Sequence, residues 1–200
     1  LNLNIRGQAL YRTIYFLPVL VPDVALGVLG RWAFNSQLGI INALLWKLVG
    51  IVGPGWLADP AWAKPSMIII SLWGVGQAVV IYLAGLQDVP QEMYDAAEVD
   101  GANSLQKTLH VTIPMITPVI LFNLVTGFIY GFQDFTLPWL LTGGGPNEST
   151  EFYALHLFRN AFQYLRMGKA SAMAWILFVI VVVFTFILFR SSSRFVYYAD

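Results

Sequence analysis

Between two long apolar runs the chain carries Gln91-Glu92-Met93-Tyr94-Asp95-Ala96-Ala97-Glu98-Val99-Asp100-Gly101-Ala102-Asn103, continuing to Val111-Thr112-Ile113-Pro114. Five of its eleven acidic residues fall from Asp88 to Asp100, so this is a concentrated polar interruption. The pattern predicts two short helices. Asp88 is placed to N-cap the first, with Gln91 as its capping-box partner. Asn103 and Gln106 repeat that spacing for the second, and Gly101 between them suits a turn that needs positive φ. Pro114 then closes the pattern before the next apolar run. An amphipathic hairpin lying on a membrane surface reads the same way.

Outward from this elbow the composition is that of a membrane protein. The chain is 58% hydrophobic and 11% charged, with a mean hydropathy of +0.67, against about 25% charged in ordinary soluble domains. The apolar residues gather in runs close to the ~20 residues a spanning helix needs: about 11–32, 67–86, 118–138 and 170–189. The expected fold is therefore all-α, with four transmembrane helices and the loop 88–114 at its centre. A formal net charge of zero gives no electrostatic case for nucleic acid. The absence of cysteine excludes disulfides, thiolate metal sites and cysteine nucleophiles.

In the first run Pro18 and Pro22 interrupt the helix, and Asp23 sits at membrane depth, where a charge costs about 2.5–3.5 kcal/mol on insertion scales. It should face protein or water. Residues 33–64 form a long connection in which Ile40 to Val49 predicts a short interfacial helix, with Trp46, Trp56 and Trp62 as interfacial anchors. In the second run Trp73 and Gln77 are four apart and share a face, while Gly74, Ala78 and Gly85 permit close helix contact. In the third, Asn123, Gly127, Tyr130 and Asp134 recur at steps of 4, 3 and 4, one helical stripe bordered by Gln133. An amide, a phenol and a carboxylate in one column suit a hydroxyl-rich solute; they also suit hydrogen bonds to neighbouring helices. Trp73, Gln77, Asn123, Gly127, Tyr130, Gln133 and Asp134 are thus the candidate solute path. Gly143-Gly144-Gly145-Pro146 is a sharp turn and not a phosphate loop, because no Lys-Ser/Thr follows. Glu151 to Arg166 predicts a further helix. His110 and His156 each stand without a second ligand in sequence, so no metal site is expected.

Asp95-Ala96-Ala97, Gly101 four positions on, and then Val111-x-Ile113-Pro114 resemble the EAA loop of ABC importer permeases, with Asp95 where that family has Glu. Phe16-Leu17-Pro18, Phe34-Asn35 before Gly39-Ile40-Ile41-Asn42, Ala84-Gly85-Leu86-Gln87 before Pro90, Leu141-Thr142-Gly143-Gly144-Gly145-Pro146 and Met167-Gly168-Lys169-Ala170-Ser171-Ala172 extend the likeness. They match the carbohydrate branch, specifically the first permease subunit of maltose and glycerol-3-phosphate-type systems. The resemblance implies an ATPase-coupling loop made of Tyr94, Asp95, Ala96, Ala97, Glu98, Asp100, Gly101, Val111, Ile113 and Pro114. It implies a second permease subunit, two ATP-binding subunits that carry the ATP and Mg, an extracytoplasmic solute-binding protein, and no cofactor on this chain. It implies a six-span core of which four spans are present, so that an amino-terminal part is missing. Location in the cytoplasmic membrane, with the loop and both termini cytoplasmic, also follows from the resemblance. Charge does not decide it: Arg6, Arg12, Lys107, Arg190 and Arg194 lie on the loop side against Arg31, Lys47, Lys64, Arg159, Arg166 and Lys169 opposite.

Other classes remain open at this level. A membrane-embedded enzyme could use Asp134 or Asp23 as a general base on a lipid-linked substrate, although neither has a titratable partner nearby in sequence. A passive channel subunit and a permease for a non-carbohydrate solute are the others.

Overall fold

The computed structural model describes residues 7–192 and 195–197; Arg6 and Arg194, counted above, lie outside the described residues. Every regular element among them is helical. In order these are α1 (Gln8–Phe16), α2 (Asp23–Ala33), α3 (Ile40–Val49), α4 (Pro60–Gln87), α5 (Gln91–Val99), α6 (Ser104–Met115), α7 (Thr117–Phe132), α8 (Thr136–Leu141), α9 (Tyr153–Phe158) and α10 (Met167–Ser192). Among the described residues, only α4 and α10 are long and apolar enough to cross a membrane as single helices. Counting each of two bent pairs as one span raises the number to four.

The two bent pairs are where the structure departs from the expected spans. The run 11–32 is α1 with a tight turn, Leu17–Leu20, then a strong bend into α2 at Val21-Pro22. Pro22 has no N–H to offer a preceding turn, and it serves instead as the N-cap position of α2 with φ −58° and ψ 141°. The run 118–138 stops at Phe132, and α8 restarts at Thr136. A continuous helix there would drive the Pro138 ring into the carbonyl four residues back; the restart puts Pro138 in a first turn, where proline is tolerated.

The chain divides into two packing units. The first comprises residues 1–17, 76–129 and 179–200. Here α4 and α7 approach closely because Gly85 has no side chain: a Cβ at that position would lie 2.6 Å from Val119 Cγ2. Gly74, expected to share this role, has open space around it among the described residues. Phe128 of α7 and Phe184 of α10 meet with ring centroids 5.0 Å apart.

The second unit comprises residues 18–75 and 130–178. Its apolar core is Phe34, Met67, Ile70 and Leu141, flanked by Leu26, Ile41, Trp56 and Leu137. Gly27 and Gly30 of α2 admit Leu140 and Leu141 of α8, with Leu140 Cβ 2.8 Å from where a Cβ on Gly27 would be. The 33–58 connection is held by one buried amide. Asn42 donates to the Ser36 carbonyl at 2.8 Å and accepts from Trp56 Nε1 at 2.6 Å. Ser66 Oγ donates to the Trp56 carbonyl at 2.9 Å. Trp56 is therefore a packed core member, its ring 5.9 Å from Phe34, and not an interfacial anchor. Trp46 stays exposed.

The glycine turn is also locked by polar contacts. Thr150 donates to the Gly145 carbonyl at 2.7 Å, and Arg159 bonds Glu151 at 2.7 Å while donating to the Gly143 carbonyl. His156, expected to stand alone, has its Nδ1 2.7 Å from Glu151 Oε1. The helix expected over 151–166 begins at Tyr153 and ends in a wide turn, Arg159–Gln163.

Candidate functional site

The elbow folds as a helical hairpin within the first unit. α5 ends in a Schellman motif: Ala102 N–H donates to the Ala97 carbonyl at 2.9 Å and Gly101 N–H to the Glu98 carbonyl at 3.0 Å. Gly101 takes φ +77°, so the turn requires its freedom. The Asn103–Gln106 capping box forms as its spacing predicts, with bonds of 2.8 and 2.9 Å in the two directions. The box expected at Asp88 does not form. Pro90 occupies the N-cap position of α5, Asp88 N–H closes α4 on the Ala84 carbonyl, and Gln91 turns its amide to Asp95 instead, at 3.0 Å. The residue before a proline is held extended, which carries Asp88 out of capping range.

Two cross-links tie α5 to α6. Tyr94 Oη lies 3.0 Å from Thr112 Oγ1, a net contribution of about 0.5–1.5 kcal/mol. Lys107 Nζ meets Glu98 Oε2 at 2.8 Å, but Glu98 is largely exposed, so this pair adds at most about 1 kcal/mol. The pairing of Lys107 and Thr112 with α5 is invisible in sequence, since their partners lie 9 and 18 positions away. Inside α6, Thr108–Thr112 forms a wide π-type turn just before Ile113-Pro114. Such a turn lets a proline sit in a helix without colliding with the carbonyl behind it. At Ile116 the chain then bends by 62° into α7.

The hairpin encloses an open cleft of about 460 Å³. Its lining combines the small residues Ala96, Ala97, Gly101 and Ala102 with Met93, Asp100, Gln106, His110 and the buried Val111. Glu92, Asp95, Glu98 and Asp100 are exposed, and of these Asp100 lines the cleft. Ile113 is exposed and Pro114 half-buried, outside the cleft. Tyr94 holds the hairpin closed and does not line the cleft.

The expected solute stripe is only partly assembled. Asn123, Gly127 and Tyr130 lie on α7, but Gln133 and Asp134 fall in the break beyond Phe132, so Asp134 is not part of the helical column. Asn123 Nδ2 donates to its own helix at the Val119 carbonyl, 3.0 Å away, leaving its amide oxygen for another partner. Tyr130 is 72% exposed. Asp134 accepts from Leu137 N–H, which fixes the first turn of α8. The fold also brings Asp23 within electrostatic reach of Asp134, a carboxylate neighbour that sequence spacing hid. Trp73 lies in a tight turn of α4 (Leu72–Val75) and Gln77 in the helix after it. The i,i+4 rule behind their shared face belongs to α-helices and does not carry across that turn.

A helical membrane protein, with an exposed acidic hairpin between two spans, is the class these features define. The chain belongs to the family of binding-protein-dependent transport system inner membrane components, whose pattern matches residues 1–196. It is 43% identical over 202 aligned residues to the probable ABC transporter permease protein YesP of Bacillus subtilis (strain 168), covering 99% of this chain and 65% of that protein. It is 34% identical over 199 residues to the lactose transport system permease protein LacF of Rhizobium radiobacter, covering 96% and 66%. The chain thus spans slightly under two thirds of the length of both. In fold it matches a crystal structure of a bacterial alginate ABC transporter in complex with an alginate pentasaccharide-bound periplasmic protein, with a TM-score of 0.87 at 24% identity over 96% of this chain and 68% of that one.

Proposed function

We propose that this chain is part of a permease subunit of a binding-protein-dependent ABC importer, moving a sugar, polyol or sugar-like solute across the cytoplasmic membrane. ATP hydrolysis belongs to a separate subunit, which holds the ATP and Mg, and this chain contributes no catalytic group. The observation that carries the reading is the hairpin 91–115. Its one turn is closed by a Schellman motif and a capping box, and it is tied at Tyr94–Thr112 and hollowed by alanines and glycine, so a push on it moves it as one body.

The carbohydrate class is supported by relatives named for lactose and for maltose/maltodextrin. Partners are a second permease subunit, two ATP-binding subunits and an extracytoplasmic solute-binding protein; the alginate transporter's complex with a periplasmic protein supports the last. The hairpin and both ends of the chain face the cytoplasm. Solute passes along Asn123, Gly127, Tyr130 and Gln133, with Trp73, Gln77 and Asp134 as the remaining candidates. Alternating access, in which the solute path opens to one side at a time, is the coupled motion.

The chain has no cysteine, so Ala97→Cys places one thiol in the cleft. In native membranes that thiol should cross-link to the ATP-binding subunit and resist a membrane-impermeant reagent added from outside. Labelling from outside, or capture of nothing that hydrolyses ATP, refutes the reading.

A further inference from the structure

We propose that Thr117 is a positioning residue for the hairpin: it closes the bend between α6 and α7 and ties residues 195–197 across it, so that α10 as well as α7 follows the hairpin. The bend is 62°, and Thr117 is the first residue beyond it. Pro118 comes next. In a continuing helix a carbonyl is met by the N–H four residues on; for Pro114 that residue is Pro118, which has no N–H. Thr117 supplies a hydroxyl in its place, donating to the Pro114 carbonyl at 2.6 Å. With its hydrogen committed there, the hydroxyl oxygen is left as an acceptor. Tyr197 N–H donates to it at 2.9 Å, from 80 positions further along the chain.

The segment that makes this contact is seated on the protein. The Ser192 carbonyl accepts from Phe195 N–H at 2.9 Å and from Val196 N–H at 2.8 Å, which turns the chain at the end of α10. Val196 is half-buried while Phe195 and Tyr197 are 73% and 55% exposed, so one side of the segment lies inward. The packing of the two spans agrees with this placement. Phe128 and Phe184, whose ring centroids are 5.0 Å apart, lie about 17 Å from Thr117 and about 12 Å from Ser192 along their own helices. α7 and α10 are therefore joined twice, by rings at depth and by the tail at the hairpin's root.

Both bonds of the joint meet at one side-chain oxygen, so the loss of a single hydroxyl releases both. A push on the hairpin that changes the bend also loads the Tyr197 bond, and the load reaches α10 directly instead of through α7 alone. That this movement serves transport rests on the importer reading; the joint at Thr117 does not.

The test is a pulsed electron-spin distance measurement on the full-length protein in lipid nanodiscs. Spin labels go on Leu105→Cys in α6 and Phe195→Cys in the tail, both exposed positions, against a cysteine-free background. The parent pair should give one narrow distance. Thr117→Val keeps the shape without the hydroxyl, and Tyr197→Pro removes the donor N–H; each should raise the share of molecules with a released tail about fivefold. Thr117→Ser keeps the hydroxyl and Tyr197→Ala keeps the N–H, so both should match the parent. A parent-like distribution in Thr117→Val overturns the proposal, and so does a released tail in Thr117→Ser, because size and not the hydroxyl would then matter. Should Thr117→Val not fold, Tyr197→Pro decides, since it leaves the Thr117–Pro114 bond in place; a parent-like distribution there overturns the proposal. In the complex with its ATP-binding subunits, solute taken up per ATP hydrolysed should fall in Tyr197→Pro and not in Tyr197→Ala. A released tail with uptake per ATP unchanged overturns the positioning role. Lack of solute-stimulated ATPase activity in the parent counts against the importer reading and takes the coupling role with it, while the distances still decide whether the joint exists.

Discussion

Gly85 is the point at which the two helices flanking the hairpin are clamped together, and the clamp can be measured. Gly85→Ala puts a methyl 2.6 Å from Val119 Cγ2, 3.2 Å from its Cβ and 3.3 Å from its Cγ1. All three β-branch carbons face the new methyl, so no rotamer of the stiff valine escapes it and the helices must separate. Overpacking of this kind costs about 1–3 kcal/mol. Alanine in place of glycine in a helix returns about 1 kcal/mol of propensity, so the single variant should be destabilised by about 0–2 kcal/mol. That range alone decides little. The double variant does: Val119→Ala removes both Cγ atoms and leaves only the 3.2 Å contact, which a shift of a few tenths of an ångström relieves. In that background Gly85→Ala should be neutral or stabilising, a coupling energy of about 1–2 kcal/mol by double-mutant cycle. Equilibrium unfolding of the full-length protein in mixed detergent measures it. Additivity within about 0.5 kcal/mol would mean α4 and α7 do not touch there.

Gly101→Arg has open space around the new side chain but must hold φ +77°, a strain of about 1–2 kcal/mol; membrane insertion should persist while solute-stimulated ATPase activity of the complex falls, and unchanged stimulation counts against the coupling role. Tyr94→Phe should cost about 0.5–1.5 kcal/mol through the lost bond to Thr112, read as faster hydrogen exchange confined to the two hairpin helices. Arg159→Ala leaves Glu151 and the Gly143 carbonyl short of a donor, about 1–3 kcal/mol, and a thermal melt should show the loss. Tyr130→Ala should alter solute uptake with subunit assembly intact; normal uptake kinetics would remove Tyr130 from the path.

What was legible in the sequence was what local chemistry decides. Asn103 and Gln106 form their box because both partners lie within one turn, and Gly101 takes positive φ because the Schellman closure is a six-residue event. The apolar length of α10 needs no partner either, which is why 170–189 sits wholly inside Met167–Ser192. Two of the misreadings have a common physical origin in proline. Asp88 loses its cap because Pro90 stands between it and the helix, and Asp134 leaves the stripe because Pro138 forces α8 to begin afresh. A 3.6-residue period counted through a proline is a count through a break. What no window could reveal were the pairings across turns: Tyr94 with Thr112, Asn42 with Trp56, Asp23 near Asp134.

Those long pairings also explain why the hairpin can act as a handle. Most of the chain's exposed apolar surface lies on α1, α4, α7 and α10, where Leu10, Ile68, Phe122 and Phe186 face outward and lipid replaces water as the solvent. Helices in lipid gain little from apolar contact with each other and are held by close packing and hydrogen bonds. The hairpin leaves most of its apolar residues exposed, only Val111 among its own being buried, so its shape is set by caps, a glycine and two side-chain bonds. Each of these is worth about 1 kcal/mol, and they act on one short stretch between Gln91 and Met115. With α5 and α6 tied to each other at Tyr94–Thr112 and Glu98–Lys107, the proposed coupling role would have a force on the cleft delivered to Gly85 and Val119 at the hairpin's root. Loosening either the root or the Tyr94–Thr112 tie should therefore weaken the response of the spans to that force, while the depth of the cleft, set by Ala96, Ala97 and Gly101, governs only how tightly it is gripped.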